Sequence, residues 1–163
     1  MHTNDKKDLL RHWLATLLYR TRSALQGAPT DFDSFQAGAD VRTPQELLQH
    51  MSNLMTHTAA GLRGSEPGPL APGLAWSAEV ARFESLVAEL SAVLVDVPVG
   101  DRRLAERLLQ GPLSDAMCHA GQLALLRRLA GSPVPHENFF EAAIDAEAIG
   151  GGGTPAPSGL RET

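Results

Sequence analysis

Apolar residues recur every three or four positions along most of this chain, which is the period of an amphipathic α-helix. One such segment runs from about residue 5 to residue 25, with apolar positions at Leu10, Trp13, Leu14, Leu17 and Leu25. Another runs from about residue 77 to residue 95, with apolar positions at Val80, Phe83, Val87, Leu90 and Leu94. The chain shows neither the alternating pattern of a β-strand nor an internal repeat, so the pattern predicts helices without a sheet.

Local sequence signals mark where the other helices begin and end. The segment "TPQE" predicts a helix with Thr43 as its N-cap and Pro44 in its first turn, which continues to about Gly64. The proline-rich stretch "GSEPGPLAPG" that follows is a non-helical connection. A short helical piece, "DRRLAERLLQ", precedes a break at Gly111 and Pro112, and the last helix then runs to about Gly131.

These elements predict an all-α fold, a four-helix bundle with a short extra helix before the last long helix. Residues 1–149 form the bundle domain, and we expect the Gly- and Pro-rich residues 150–163 to be a disordered tail. Hydrophobic residues make up 43% of the chain and aromatic residues only 5%, so leucine, alanine and valine must supply most of the core.

Composition and charge narrow the range of partners. The net charge of −5 argues against a nucleic-acid surface, which requires clustered Lys and Arg. No apolar run reaches the length of a membrane span, and the charged N-terminus does not look like a signal peptide. The single cysteine, Cys118, excludes an intramolecular disulfide. We therefore expect a cytoplasmic protein that binds neither nucleic acid nor a membrane.

Polar residues interrupt the leucine stripe of the last helix. On a helical projection Asp115, His119 and Gln122 fall in the same arc as two leucines, which predicts that they point into the bundle. A carboxylate taken out of water costs several kcal/mol unless it is paired, protonated or bound to a metal ion. The spacing of four between Asp115 and His119 suits two ligands of one cation, and it suits an Asp–His hydrogen bond equally well.

A third candidate ligand lies on the second long helix. His50 is at the margin of that helix's apolar arc, from which it could reach a cavity between helices. Two histidines and one carboxylate on two helices of a bundle form a common metal-binding set with room left for water. The alternative is a structural Asp–His pair whose polar network is completed by Gln122.

Several other residues have simpler interpretations. We expect Cys118 to be a small buried apolar residue, and Phe139 and Phe140 to fold back over one end of the bundle. The histidines expected to be solvated or at the bundle edge are His12, His57 and His136. The face of the last helix that we expect to point outward carries the small residues Ala120, Gly121 and Ala124. Because these residues allow another helix to approach closely, this face could contact a neighbouring helix of the bundle or form the interface of a homodimer.

The segments "TPQELLQHM" and "SDAMCHAGQLALLRRLAGSPVPHENF" resemble the DinB/YfiT-like superfamily of bacterial metal-binding four-helix bundles. The resemblance extends from the first helix to about Phe140. Members carry one histidine on the second helix and a His-x-x-x-His pair on the last. By position His50 and His119 match two of these ligands, and Asp115 replaces the third. The resemblance implies that the protein binds a divalent metal ion, most often zinc or nickel. Because an aspartate replaces one histidine, the preference shifts toward harder ions, and manganese or iron are alternatives.

The resemblance also implies a type of reaction. Some members transfer a low-molecular-weight thiol to an electrophile, and others isomerise maleylpyruvate with the help of a thiol. We therefore expect a metal-dependent enzyme, S-transferase-like or hydrolase-like, that acts on a small molecule with a thiol partner. Gln122 could orient a ligand of the metal or serve helix packing, and Arg20 could hold a substrate carboxylate or be solvated. The alternative is a non-catalytic dimeric bundle that binds a metal or a small ligand.

Overall fold

The computed structural model describes residues 3–69, 73–99 and 102–150. The described residues contain no β-strand, which confirms the all-α prediction. The α-helices are α1 (Thr3–Leu25), α2 (Pro44–Arg63), α3 (Trp76–Asp96), α4 (Arg102–Leu108) and α5 (Ser114–Leu129). Short 3₁₀ turns cover Phe32–Ser34 and Ala146–Ala148. Part of the proline-rich connection and the predicted tail beyond residue 150 lie outside the described residues.

The four long helices form a closed ring. Helix α1 packs against α3 and α5, and α2 packs against the same two helices. Helices α2 and α5 are therefore neighbours, and this adjacency brings their polar residues together. The core between the helices is mainly aliphatic and includes Leu14, Leu17, Leu48, Met51, Phe83, Val87, Leu90 and Leu123. No helix among the described residues is long and apolar enough to cross a membrane.

Helix α2 begins and ends where its capping signals predict. Thr43 accepts a hydrogen bond from the backbone N–H of Glu46, and the Glu46 carboxylate accepts one from the backbone N–H of Thr43. Gly64 ends the helix in the left-handed region, with a φ of 68° that favours glycine. These two caps fix the length and the register of the helix that carries His50.

A kink separates α4 from α5. The connecting residues Leu109–Leu113 form a π-helical turn that contains Pro112, and Gly111 departs from helical geometry with φ −99° and ψ −107°. Proline removes a backbone donor and clashes with the preceding turn, which explains the break. The predicted short helix and the predicted break at Gly111 and Pro112 are both confirmed, and α5 starts afresh at Ser114.

The predicted orientation of α5 is wrong by roughly 80° of rotation about the helix axis. The residues that face the core are Ala116, His119, Ala120, Leu123, Leu126 and Arg127, whereas Asp115, Gln122, Leu125 and Leu129 are exposed. Small alanines turn toward the core because a neighbouring helix backbone can approach them closely. Ala120 is therefore a contact inside the bundle. The same rotation exposes Cys118, so the prediction that it is buried is also wrong.

Arg127, which lies on the same face of α5 as Ala120, is almost completely buried. Its guanidinium donates hydrogen bonds to the carbonyl oxygens of Ala24, Gln26, Gly27 and Ser132 and to the Ser132 hydroxyl, at 2.8 to 3.3 Å. Burial lowers the pKa of the Arg127 guanidinium from its usual value. The C-terminal end of α1 leaves carbonyls without helical partners, and this arginine supplies the missing donors.

The segment after α5 crosses α1. The ring of Phe139 lies edge-on to Tyr19 at 6.3 Å, and the guanidinium of Arg20 lies 4.0 Å from the centre of the same ring. The Tyr19 hydroxyl donates a hydrogen bond to the Glu137 carboxylate. Phe140 is 92% exposed, so the prediction that both phenylalanines fold back is wrong for Phe140. The segment is held to α1 by Phe139 and by polar contacts.

Candidate metal centre

Helices α2 and α5 bring together the three predicted ligands His50, Asp115 and His119. His50 lies two turns after the start of α2, and the other two residues lie one turn apart at the start of α5. His119 is buried, His50 is half-buried, and the side chain of Asp115 is 47% exposed. These three side chains are the one group of this kind found in the described part of the chain.

The distances within this group match those expected around a metal ion. Asp115 Oδ2 lies 3.2 Å from His50 Nε2, and Asp115 Oδ1 lies 3.3 Å from His119 Nε2. Two ligand atoms on a tetrahedral ion with bonds of about 2.0 to 2.1 Å are separated by about 3.3 to 3.4 Å. No pair of the candidate ligand atoms is more than 4.8 Å apart. The group could therefore hold a metal ion.

Gln122 contacts the buried histidine from its other side. Its Oε1 lies 2.8 Å from His119 Nδ1, so Nδ1–H donates to this oxygen. In the neutral imidazole, a proton on Nδ1 leaves the lone pair on Nε2, the atom that faces Asp115. Lone pairs of Nε2 and of a carboxylate oxygen repel each other at 3.3 Å unless a proton or a cation lies between them. This hydrogen bond therefore prepares His119 to bind a cation.

The surroundings also favour a compact, charged centre. The rings of His50 and His119 pack edge to face with centroids 4.9 Å apart, which limits the rotation of both. Asp115 lies in the first turn of α5, where the helix dipole stabilises a negative charge. One carboxylate and two neutral imidazoles leave a divalent ion with a single net positive charge. Such a centre would attract an anionic additional ligand from the exposed side.

The other residues singled out in the sequence lie elsewhere. Arg20 is exposed and stacks on Phe139. A cavity lies between the loop that precedes α2 and α5, and His119 is one of its lining residues, whereas Arg20 is not. Among the described histidines outside this group, His12, His57 and His136 are exposed. The sequence interpretation missed Asp40 and Arg42, which line that cavity from the loop before α2. The loop has no hydrophobic periodicity, so no signal in the sequence placed these residues near α5.

Comparisons of the chain with profiles of protein families, with curated proteins and with solved structures found no match.

Proposed function

We propose that this protein is a metal-dependent enzyme that joins a small thiol to a small electrophile. The observation that carries the proposal is the His50, Asp115 and His119 group, in which each histidine Nε2 lies 3.2 or 3.3 Å from one oxygen of the carboxylate and all the candidate ligand atoms lie within 4.8 Å of one another. Two imidazoles and a carboxylate suit zinc, nickel, manganese or iron. Both the arrangement and the sequence resemblance to DinB/YfiT-like bundles support this function.

A divalent ion would lower the pKa of a thiol that binds to it, so that the thiolate is available near neutral pH. Because the side chain of Asp115 is partly exposed, solvent reaches the centre and would accept the proton that the thiol releases. In the overall reaction a sulfur–carbon bond forms while the bond between carbon and the leaving group breaks. The leaving group departs with the electron pair, and the released proton goes to solvent, so no oxidant or reductant is needed.

Gln122 and His119 have a positioning role in this proposal. Because Gln122 accepts a hydrogen bond from Nδ1–H of His119, the neutral histidine presents the lone pair of Nε2 toward the ion. The cavity lined by these two residues would bring a small electrophile next to His119. Arg20 has no part in the proposal, since it stacks on Phe139.

Conjugation of 1-chloro-2,4-dinitrobenzene to cysteine, followed by absorbance, tests the proposal. We expect the protein reconstituted with zinc, nickel or manganese to exceed the uncatalysed rate, and the chelator-treated protein to match it. His119→Ala should abolish the added rate with every metal. His57→Ala, which changes an exposed histidine of the same helix as His50, is the matched control and should keep it. Equal rates with and without metal, across several thiols and electrophiles, would contradict thiol transfer.

A further inference from the structure

A cavity of about 550 Å³ lies between the loop that precedes α2 and the exposed side of α5. His119 and Gln122 are among the residues that line it. Its volume is within the range of pockets that bind small molecules, about 300 to 1,000 Å³. The cavity therefore lies beside the candidate metal centre and is large enough for an organic ligand.

Apolar side chains cluster on the walls of this cavity although solvent reaches them. Val41, Leu125 and Leu129 are 44%, 53% and 57% exposed, and all three line it. They are half of the six large hydrophobic residues that are exposed in the described part of the chain. Single apolar residues on a surface are ordinary, but a cluster around a concave site marks a surface that a ligand or a partner covers. Leu47 and Leu126 extend the apolar wall inward.

Two charged residues of the loop that precedes α2 line the cavity. Arg42 and Asp40 both line the cavity and are exposed. Neither side chain makes a hydrogen bond or an ion pair within the described ranges of the chain. The Arg42 guanidinium thus keeps its fork of donors available for a planar anion such as a carboxylate. Asp40 offsets its charge, which disfavours ligands that carry more than one negative charge.

We propose that this cavity binds a small amphiphilic monoanion. Its apolar body would cover Val41, Leu125 and Leu129, and its carboxylate would bind Arg42. Its other end would reach His119 and Gln122. The identification of this other end as the reactive thiol or electrophile rests on the proposed function, whereas binding of the apolar body and the carboxylate does not.

Calorimetric titration of the full chain with butanoate, hexanoate and octanoate tests the binding itself. Each buried methylene should tighten binding by about three- to fourfold. We expect Arg42→Gln to weaken octanoate binding by about three- to tenfold. Leu125→Gln should weaken it and flatten its dependence on chain length. The matched controls Arg128→Gln and Leu9→Gln change exposed residues outside the cavity and should leave binding unchanged.

A variant without the metal separates this proposal from the metal chemistry. His50 is a candidate ligand of the ion but does not line the cavity, so His50→Ala should keep octanoate binding within about twofold of the unmodified protein. Absence of saturable binding, or equal affinity in Arg42→Gln, would overturn the proposal. Self-association that Leu125→Gln abolishes would also overturn it, because a second copy of the chain would then cover the apolar residues.

A bifunctional probe then tests the link to the centre. In the cobalt-loaded protein, 6-mercaptohexanoate should produce a thiolate-to-cobalt absorption band at a lower concentration than 6-mercaptohexanol. Arg42→Gln should remove that difference between the two probes. If octanoate binds as expected and no thiol produces the band, the cavity proposal stands and the proposed thiol chemistry fails.

Discussion

The hydrogen bond between Gln122 and His119 gives the sharpest test of how the candidate centre is prepared. Gln122→Ala removes the Oε1 that accepts from His119 Nδ1 at 2.8 Å. Gln122→Glu keeps an acceptor oxygen and adds a negative charge, so this matched variant should hold the histidine in the same tautomer. The two variants therefore separate the acceptor from the bulk of the side chain.

The expected loss follows from the exposure of Gln122. Removing a hydrogen-bond partner from a metal-bound histidine typically costs 10- to 100-fold in metal affinity. Because Gln122 is exposed, water can replace part of the bond, and we expect the lower end of that range. Gln122→Ala should weaken metal binding by about tenfold, or about 1.4 kcal/mol. Gln122→Glu should bind at least as tightly as the unmodified protein, since its charge strengthens the bond from Nδ1–H.

Competition with a chromophoric chelator measures these affinities for zinc and nickel. Arg128→Ala is a suitable control because it changes an exposed residue of the same helix away from the centre. Helix content from circular dichroism should be the same in all the variants. An affinity of Gln122→Ala within twofold of the unmodified protein would refute the argument that this bond sets the tautomer of His119.

Three further predictions concern stability. Arg127→Met leaves the carbonyls at the end of α1 without donors and should cost about 2 to 4 kcal/mol in urea unfolding, whereas the exposed Arg128→Met should change the free energy of unfolding by less than about 0.5 kcal/mol. Burial and the hydrogen bond to Glu137 raise the pKa of Tyr19 to about 12. The folded state therefore binds this proton more tightly than the unfolded state does, and the resulting stability is complete below pH 10 and is lost as the pH rises toward 12. Tyr19 is the single tyrosine in the sequence, so its absorbance reports the titration directly, and a transition near pH 10 in the folded protein would contradict the assignment. Thr43→Ala should cost about 1 kcal/mol by removing the N-cap of α2, and an unchanged urea midpoint would show that this cap contributes nothing.

The helices were predictable because their signals are local. Apolar spacing, the capping box at Thr43 and the break at Pro112 each act within a few residues, and the structure confirms all three. The orientation of α5 was not predictable in this way. Counting leucines favoured the arc of Leu126 and Leu129, but Leu129 is exposed and lines a cavity, and the alanines Ala116 and Ala120 face the core. Close approach of two helices depends on the partner helix, and one helix's pattern does not contain that information.

The candidate site was predictable in part for a related reason. The spacing of Asp115 and His119, together with His50 on a second helix, identified the three residues that the structure brings together. The prediction that Asp115 points into the bundle was wrong, because its side chain is 47% exposed. Arg42 and the buried Arg127 were missed as well. Their roles arise from contacts with residues far away in the sequence, such as the carbonyl of Ala24 and the exposed side of α5.

Metal content tests the central claim most directly. Protein purified without a histidine tag, reconstituted with zinc, nickel, manganese or iron and then desalted, should retain about one equivalent of one of these ions by elemental mass spectrometry. His50→Ala and His119→Ala should each lose that ion, while His57→Ala should retain it. Absence of bound metal in the unmodified protein, or retention of metal by His119→Ala, would contradict the account and leave the group as a structural cluster of polar side chains.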